Sequence, residues 1–439
     1  MGMIGPDEPR YADVGRAMAR SGDWITPHLW GQPWFEKPAL LYWMTGAAFR
    51  LGLGPDLAPR LPVALLSLLF IAFLWWRVKL EWDERTAWFA STMLATSAGW
   101  LAYSHVAVTD LPLAAFFSAA VLLSLPWLAR AQSSTLPAAA ACLGLAALAK
   151  GLVPLVLFLP IFALGWRRLR DWLRPAPLLA FSICALPWYI LCTVRNGGEF
   201  LRVFFVEQQF SRFGSSALQH VQPFWFYLPI LLLLLYPWIP LLAFPSIVFE
   251  KTVRRDPRVR ALAAVVLFGL VFFSAALNKL PGYVVPLLPP LFVLLGLGLA
   301  RSPRPALPLG LSVFLLALLL PARTIAPGML APHATFAAAI GISSALAGIA
   351  IAVVGAVLLG RLAPRFAPIF VAAAFLWFQF ATFPRFDAEA SARPMWLRDH
   401  PRCTPVAATR NIHYGLFYYA GGLLPDCSIT NTQPDASVR

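Results

Sequence analysis

The side chains that could do chemistry in this chain stand out because so little around them is charged. Phe35-Glu36-Lys37-Pro38 sets an acid and a base side by side. Asp7 and Glu8, within Gly5-Pro6-Asp7-Glu8-Pro9-Arg10-Tyr11, together with Asp110, Lys150, Arg212 and Lys279, are isolated charges at the ends of long apolar runs. Carboxylates placed this way can orient or deprotonate a reacting group, and fixed cations can stabilise an anion as it forms. A charge at bilayer depth costs about 2.5–3.5 kcal/mol on insertion scales. A recurring set of them at one membrane face therefore implies a shared polar cavity, and function is expected there.

The elements that must position these residues are membrane spans. Of 439 residues, 59% are hydrophobic and 13% charged, and mean hydropathy is +0.69. A soluble domain of this size could not cover itself with water-compatible surface, so the composition predicts a polytopic membrane protein. Twelve apolar stretches are bounded by charges, Pro or Gly: 57–76, 86–103, 111–129, 136–149, 152–165, 175–194, 223–247, 261–277, 283–300, 305–321, 336–360 and 367–383. Alternate loops then sort by charge. One set, with Arg77, Arg130, the 167–174 cluster, the 251–260 cluster, Arg301 and Arg361, holds seventeen Lys and Arg; the other holds six. The seventeen-residue side is read as cytoplasmic. The net charge of +15 is thus a topology signal, which sets aside a nucleic-acid partner.

That assignment puts residues 1–56, Asp110, Lys150, the 195–222 loop, Lys279 and the tail from 384 on the external side, so the unusual charges share one face. Three units follow: an external loop at 1–56, a transmembrane domain at 57–383 and an external domain at 384–439. Nothing in 1–56 is apolar and long enough to carry the N-terminus outward, so a first helix is expected to be missing ahead of Met1. Residues 38–53 are too short to span and, with Asp13–Arg20, are predicted to form two helices lying on the membrane surface. Cys142, Cys184 and Cys192 fall in apolar spans, whereas Cys403 and Cys427 share the polar tail and are the pair expected to form a disulfide.

The ordered motifs Asp7-Glu8-Pro9-Arg10-Tyr11, Ser21-Gly22-Asp23-Trp24, Phe35-Glu36-Lys37-Pro38, Thr109-Asp110, Ala149-Lys150-Gly151, Arg212-Phe213, Gln219-His220, Pro223 to Tyr227 and Lys279-Leu280-Pro281-Gly282-Tyr283 extend over residues 6–290. Together they closely resemble bacterial membrane glycosyltransferases of the GT-C fold, the protein O-mannosyltransferase-like and lipid A aminoarabinose transferase enzymes. In the tail the resemblance rests on Arg410, Tyr414-Gly415, Tyr418-Tyr419 and Leu424-Pro425-Asp426-Cys427. It implies an all-α polytopic fold of about thirteen spans, consistent with twelve found and one missing, and a small C-terminal extracytoplasmic α/β domain. The implied activity moves a sugar, with inversion, from a polyprenyl-phosphate donor to a lipid, glycan or protein acceptor. The implied setting is the outer face of a bacterial inner membrane.

On that resemblance Lys37, Lys150, Arg212, Lys279 and Tyr283 would hold the donor phosphate. Asp7 would be the base, Asp110 a second carboxylate that orients acceptor or base, and Glu8 an alternative to Asp7. If the acceptor is itself an ionised phosphate, Asp7 would position it without taking a proton. Some relatives bind a divalent ion near the site. Glu36 with His220 or Glu207 would be its ligands here, although Glu207-Gln208-Gln209 stands where many relatives have a Glu-His pair. Aromatics including Phe204, Phe205 and Phe224 to Tyr227 are available to line a groove for the polyprenyl chain.

Plainer readings stand beside these. Asp7, Glu8 and Asp110 are placed where helix-starting residues occur. Lys150 and Lys279 could snorkel to headgroups, Glu36 and Lys37 could be a solvated pair, and His220 a loop hydrogen-bonder. Because neighbours on a helix do not face each other, Glu36 and Lys37 are expected to have separate partners. Within the enzyme class the rival is a protein O-mannosyltransferase. Outside it, the rival is a lipid transporter or flippase, which would show inverted repeats that this sequence lacks.

Overall fold

A computed structural model describes residues 1–210, 221–243, 255–303, 305–317, 367–406 and 408–427. The chain is helical almost throughout. The first two helices, α1 (Asp7–Ser21) and α2 (Leu40–Arg50), are joined through a two-stranded hairpin of β1 (His28–Leu29) and β2 (Gln32–Pro33). They pack on each other through Tyr11 and Tyr42, whose rings meet edge to face at 6.0 Å. The first loop thus holds the two helices expected of it.

Next come α3 (Leu61–Glu81), α4 (Glu84–Ala95), α5 (Ala98–Ser104), α6 (Asp110–Arg130), α7 (Leu136–Lys150), α8 (Val153–Leu157), α9 (Leu159–Leu164) and α10 (Pro175–Leu201). After them come α11 (Tyr227–Leu235), α12 (Pro257–Ala275), α13 (Leu288–Arg301), α14 (Ala306–Ala317) and α15 (Ala367–Ala390). Five segments among the described residues are long and apolar enough to cross a membrane: α3, α6, the helical run Pro175–Gln208 that begins with α10, α12, and Pro281–Arg301, which ends in α13. A helix of the 21 residues in α3 is about 31 Å long, the thickness of a bilayer's hydrocarbon core. The apolar windows of α6 and of Pro281–Arg301 are 89% buried, against 33% for α3 and 22% for the Pro175 run. The first two are therefore the centre of the bundle, and the others turn most of their apolar surface outward, as lipid-facing helices do.

Four further apolar helices, Leu136–Lys150, Val153–Leu164, Phe224–Leu235 and Ala306–Leu316, are shorter than a full span. The twelve-span count is not reached among the described residues, and the stretch 336–360 lies outside them. The stretch expected to span at 86–103 is broken. Ser97 caps α5 by accepting from the Trp100 amide, and the Thr96 hydroxyl turns back to the Thr92 carbonyl, so the helix stops and restarts.

Charge sorting of the loops is mirrored in contacts. At one end of the bundle, Arg77 of α3, Arg130 of α6 and Arg258 of α12 converge on Glu81, whose side chain is 1% exposed, at 2.8, 2.9 and 3.4 Å. These arginines come from three of the loops assigned to the cytoplasmic set. At the other end lie the first loop, the start of α6 and the end of α7.

Helix α15 runs through residue 383, the expected domain boundary, to Ala390 and leads into α16 (Arg393–Asp399) and α17 (Arg410–Ala420). Cys403 and Cys427 form the expected disulfide, with Cα atoms 5.1 Å apart. Beside it, Thr404 and Asp426 make one isolated parallel bridge. Among the described residues the tail is thus two helices and a bridge, short of the α/β domain expected. It docks on the first loop: Tyr418 donates to the Pro55 carbonyl at 2.6 Å, Tyr419 to Asp56 at 2.7 Å, and Trp30 packs between Tyr414 and Phe417.

Candidate active site

Helix α1 begins at Asp7 with Pro6 as its N-cap and no side-chain cap, so neither acid of the pair is spent on helix capping. The two have different surroundings. Glu8 is fully buried, and its carboxylate accepts from the amides of Ile4 and Ala107 at 2.7 and 2.9 Å and from Arg60 Nε and Nη2 at 2.7 and 2.6 Å. With four donors on two oxygens, it fastens α1 to the segment before α6 and has no lone pair to offer a substrate. Burial works against the Arg60 charge, but the Glu8 hydrogen bonds and charge outweigh it and raise the Arg60 pKa. Glu8 is therefore a structural anchor, a correction to its reading as an alternative base. Asp7 points the other way; its side chain is 39% exposed and pairs with Arg10.

Residues 34–39 are not helical, so Glu36 and Lys37, expected to have separate partners, also meet each other. A bend brings Lys37 Nζ to 3.0 Å from Glu36 Oε1. Tyr11 donates to the same carboxylate at 3.2 Å, and Arg10 Nη1 lies 3.4 Å from its other oxygen. Arg10 therefore links Asp7 to Glu36, and its guanidinium lies over the rings of Trp34 and Tyr414 at 5.6 and 5.3 Å. Burial opposes its charge, yet Glu36 and then Asp7 raise its pKa above the usual arginine value. Burial, with the Glu36 charge next, pushes the Tyr11 hydroxyl well above the ordinary tyrosine range, which keeps it a donor.

Asp110 is the first residue of α6 and Lys150 the last of α7; Thr109, which makes no side-chain cap, is the N-cap of α6. Lys150 Nζ donates to Asp110 Oδ1 at 2.5 Å and sits 4.7 Å from the centre of the Tyr283 ring. Tyr283 arrives on the lead-in to α13, immediately after Gly282. A Cβ at Gly282 would meet Asp110 Oδ1 at 2.5 Å and the Tyr103 hydroxyl at 2.9 Å, so only glycine lets this segment approach the acid so closely.

Asp7, Glu8, Lys37, Asp110, Lys150 and Tyr283 line one cavity of about 360 Å³, with Tyr11, Tyr103 and Gly282 also in its wall. Lys37, Lys150 and Tyr283 also line a smaller chamber of about 90 Å³ whose apolar wall includes Leu113, Val153, Phe272 and Phe273. Phe204, Phe205 and Phe224 to Tyr227 line neither of these cavities. Phe204 and Phe205, for example, pack with Phe200 and Tyr189.

Among the described residues, Lys279 is not brought to this cavity. Lys279 is 4% exposed and donates to the carbonyls of Ala276, at the end of α12, and Gln222, before α11, at 2.5 and 2.9 Å, so its ammonium is engaged by backbone. Arg212 and His220 lie outside the described residues. Glu36, the other candidate metal ligand, accepts from Lys37, Tyr11 and Arg10. Among the described residues no three His, Cys, Asp or Glu side chains gather as a metal-binding group. Arg10, Arg60, Tyr11, Tyr103 and Gly282 are site residues to which sequence reasoning assigned no role.

Residues 3–196 match the family model for dolichyl-phosphate-mannose-protein mannosyltransferases. The undecaprenyl phosphate-alpha-4-amino-4-deoxy-L-arabinose arabinosyl transferase of Pseudomonas paraeruginosa is 36% identical over 321 residues, covering 69% of this chain and 56% of that protein. The protein of the same name from Yersinia enterocolitica is 31% identical over 66% of the chain and 54% of its own length. The chain thus spans little more than half the length of these relatives. The crystal structure of ArnT from Cupriavidus metallidurans superimposes with a TM-score of 0.75 in the apo state and 0.76 bound to undecaprenyl phosphate. Both alignments cover 96% of this chain and 81% of ArnT, at 25% and 24% identity. With motifs, fold and relatives in agreement, the chain is a GT-C, lipid A aminoarabinose transferase-like protein.

Proposed function

We propose that this protein is a membrane glycosyltransferase that moves a sugar, 4-amino-4-deoxy-L-arabinose or a close analogue, from undecaprenyl phosphate to a lipid acceptor of the lipid A type. The observation that carries this reading is the single cavity in which Asp7 and Asp110 face Lys37, Lys150 and Tyr283. A polyprenyl-phosphate sugar brings its own leaving group, so the departing phosphate needs fixed positive charge more than an acid. Lys37 and Lys150 supply that charge where the 360 Å³ cavity meets the smaller chamber, so one ligand can place its phosphate at the lysines and the first isoprene units against Phe272 and Phe273. Fixed cations in a partly dehydrated site stabilise the developing charge more than they would in water.

The acceptor oxygen then attacks the anomeric carbon as the bond from that carbon to the phosphate oxygen breaks, and the bonding pair leaves on the polyprenyl phosphate. Attack opposite the leaving group inverts the anomeric centre. A hydroxyl acceptor gives its proton to Asp7, while an ionised phosphate acceptor has none to give and is positioned by Asp7. Asp110 holds Lys150 in place through their ion pair.

Charge sorting of the loops and the Cys403–Cys427 disulfide support an external, oxidising side for this cavity. We therefore place it on the periplasmic face of a bacterial inner membrane. The test is mass spectrometry of lipid A from cells with and without the full-length protein. A pentosamine added only in its presence is the expected result. An unchanged lipid A, with new glycosylation of proteins instead, would favour the protein O-mannosyltransferase reading.

A further inference from the structure

At the opposite end of α1 from Asp7, about 20 Å away at the rise of a helix, lies a second cavity of about 580 Å³. It is formed by the last turns of α1 and α2, the segment leading into α3, and the docked tail helices α16 and α17. Four arginines line it, Arg16, Arg20, Arg50 and Arg393, against one acid, Asp56.

The acid is already occupied. Asp56 pairs with Arg393 at 2.8 Å and accepts from Tyr419 at 2.7 Å, and Arg16 is paired with Asp13 over the Tyr418 ring. Arg20 and Arg50 remain, and among the described residues neither makes an ion pair. Both line this cavity, and Arg50 reaches the end of α1: its Nη2 lies 3.5 Å from where a side chain on Gly22, two residues past Arg20, would begin. One cation at a helix C-terminus is ordinary. Two at the ends of packed helices, lining one cavity with no ion pair of their own among the described residues, leave positive charge there for an anion.

The surroundings say which kind of anion. Asp56 is five residues before α3 enters the membrane, so the cavity sits at the bilayer surface. Its wall carries Leu397, 59% exposed, and Trp396, and beside it in the chain Leu51 and Leu57 are 81% and 49% exposed. Guanidinium groups inside and bare apolar side chains at the rim match an amphiphile with a phosphate headgroup, and a free phosphate ion would make no use of the rim.

We propose that this cavity is a binding site for the phosphate headgroup of an anionic lipid of the outer leaflet, separate from the reaction cavity. The site needs no assumption about glycosyl transfer. Its test is equilibrium binding to the detergent-solubilised full chain of short-chain phosphatidate, phosphatidylcholine of equal chain length, and inorganic phosphate. The wild type is expected to bind phosphatidate at least about tenfold more tightly than phosphatidylcholine, the scale of two modest charge contacts, and more tightly than inorganic phosphate. Arg20→Gln with Arg50→Gln should abolish that preference, while Arg20→Lys with Arg50→Lys keeps most of it. Both arginines are exposed, so unchanged thermal melting is expected for each pair. Lys37→Ala with Lys150→Ala, which disables the reaction cavity, should retain the preference. Equal binding of the two lipids, or a preference that survives the glutamine pair, overturns the proposal. So does a preference lost in the lysine variant alone, which would put the phosphatidate in the reaction cavity, or inorganic phosphate binding as tightly as phosphatidate.

Discussion

Lys150 and Asp110 meet at 2.5 Å across the ends of two antiparallel helices, the last residue of α7 against the first of α6. The pair fixes where the ammonium stands, between a carboxylate and the face of the Tyr283 ring. A lysine positioned this way can meet a donor phosphate without first being gathered from solvent. Lys150→Ala and Asp110→Asn are each expected to weaken donor binding, and the double variant to be little worse than the worse single one, because both act through one ammonium. Donor affinities of the four proteins measure this; full additivity of the two effects would separate Asp110 from Lys150.

Glu8 is expected to matter to stability more than to chemistry. Glu8→Gln removes the charge that compensates Arg60 in a fully buried site, a change that costs about 3–5 kcal/mol in comparable buried pairs. Thermal melting in detergent should fall clearly for Glu8→Gln and little for Asp7→Asn, whose side chain is part exposed. Equal melting of the two variants would contradict the anchoring role.

Much of this arrangement can be read from the sequence. Helices α1 and α2, the cysteine pair and the clustering of Asp7, Lys37, Asp110 and Lys150 follow from charge and apolar patterning, because a membrane penalises every misplaced charge. What is not legible depends on partners distant in sequence or on short-range backbone. Glu8 looks the same as Asp7 until Arg60, 52 positions later, is seen to fold onto it. Lys279 has the right position at the end of an apolar run, but the carbonyls of Ala276 at the end of α12 and of the distant Gln222 take its ammonium. The adjacency of Glu36 and Lys37 misleads because the helical spacing rule does not apply to a bend. The break between α4 and α5 is signalled by Thr96-Ser97, a capping pair that an apolar scan passes over.

Gly282 is a sharp probe of the site's geometry. Gly282→Ala places a methyl group against Asp110 and Tyr103, and overpacking of that kind costs about 1–3 kcal/mol unless the segment moves. Movement would carry Tyr283 away from Lys150. Transfer is therefore expected to fall by about tenfold or more, with the protein still folded by circular dichroism. Wild-type turnover in this variant would mean that the approach of the two segments is not needed.

The tail's disulfide offers a test of sidedness that is independent of catalysis. Cys403 and Cys427 are expected to resist alkylation in intact cells until a reductant is added. Labelling of both thiols without reductant would contradict both the bridge and the external position of the tail.

The roles divided between Asp7 and the lysines are tested most directly by measuring donor binding and transfer separately in one set of variants, with purified full-length protein and an undecaprenyl-phosphate sugar donor. Lys37→Ala should lose donor affinity as well as turnover. Asp7→Asn should bind donor as the wild type does and, with a hydroxyl acceptor, transfer about a hundredfold or more slowly, the scale for removing a positioned base. Near-normal turnover of Asp7→Asn on that acceptor, or unchanged donor affinity in Lys37→Ala, would contradict the division of work between carboxylate and cations.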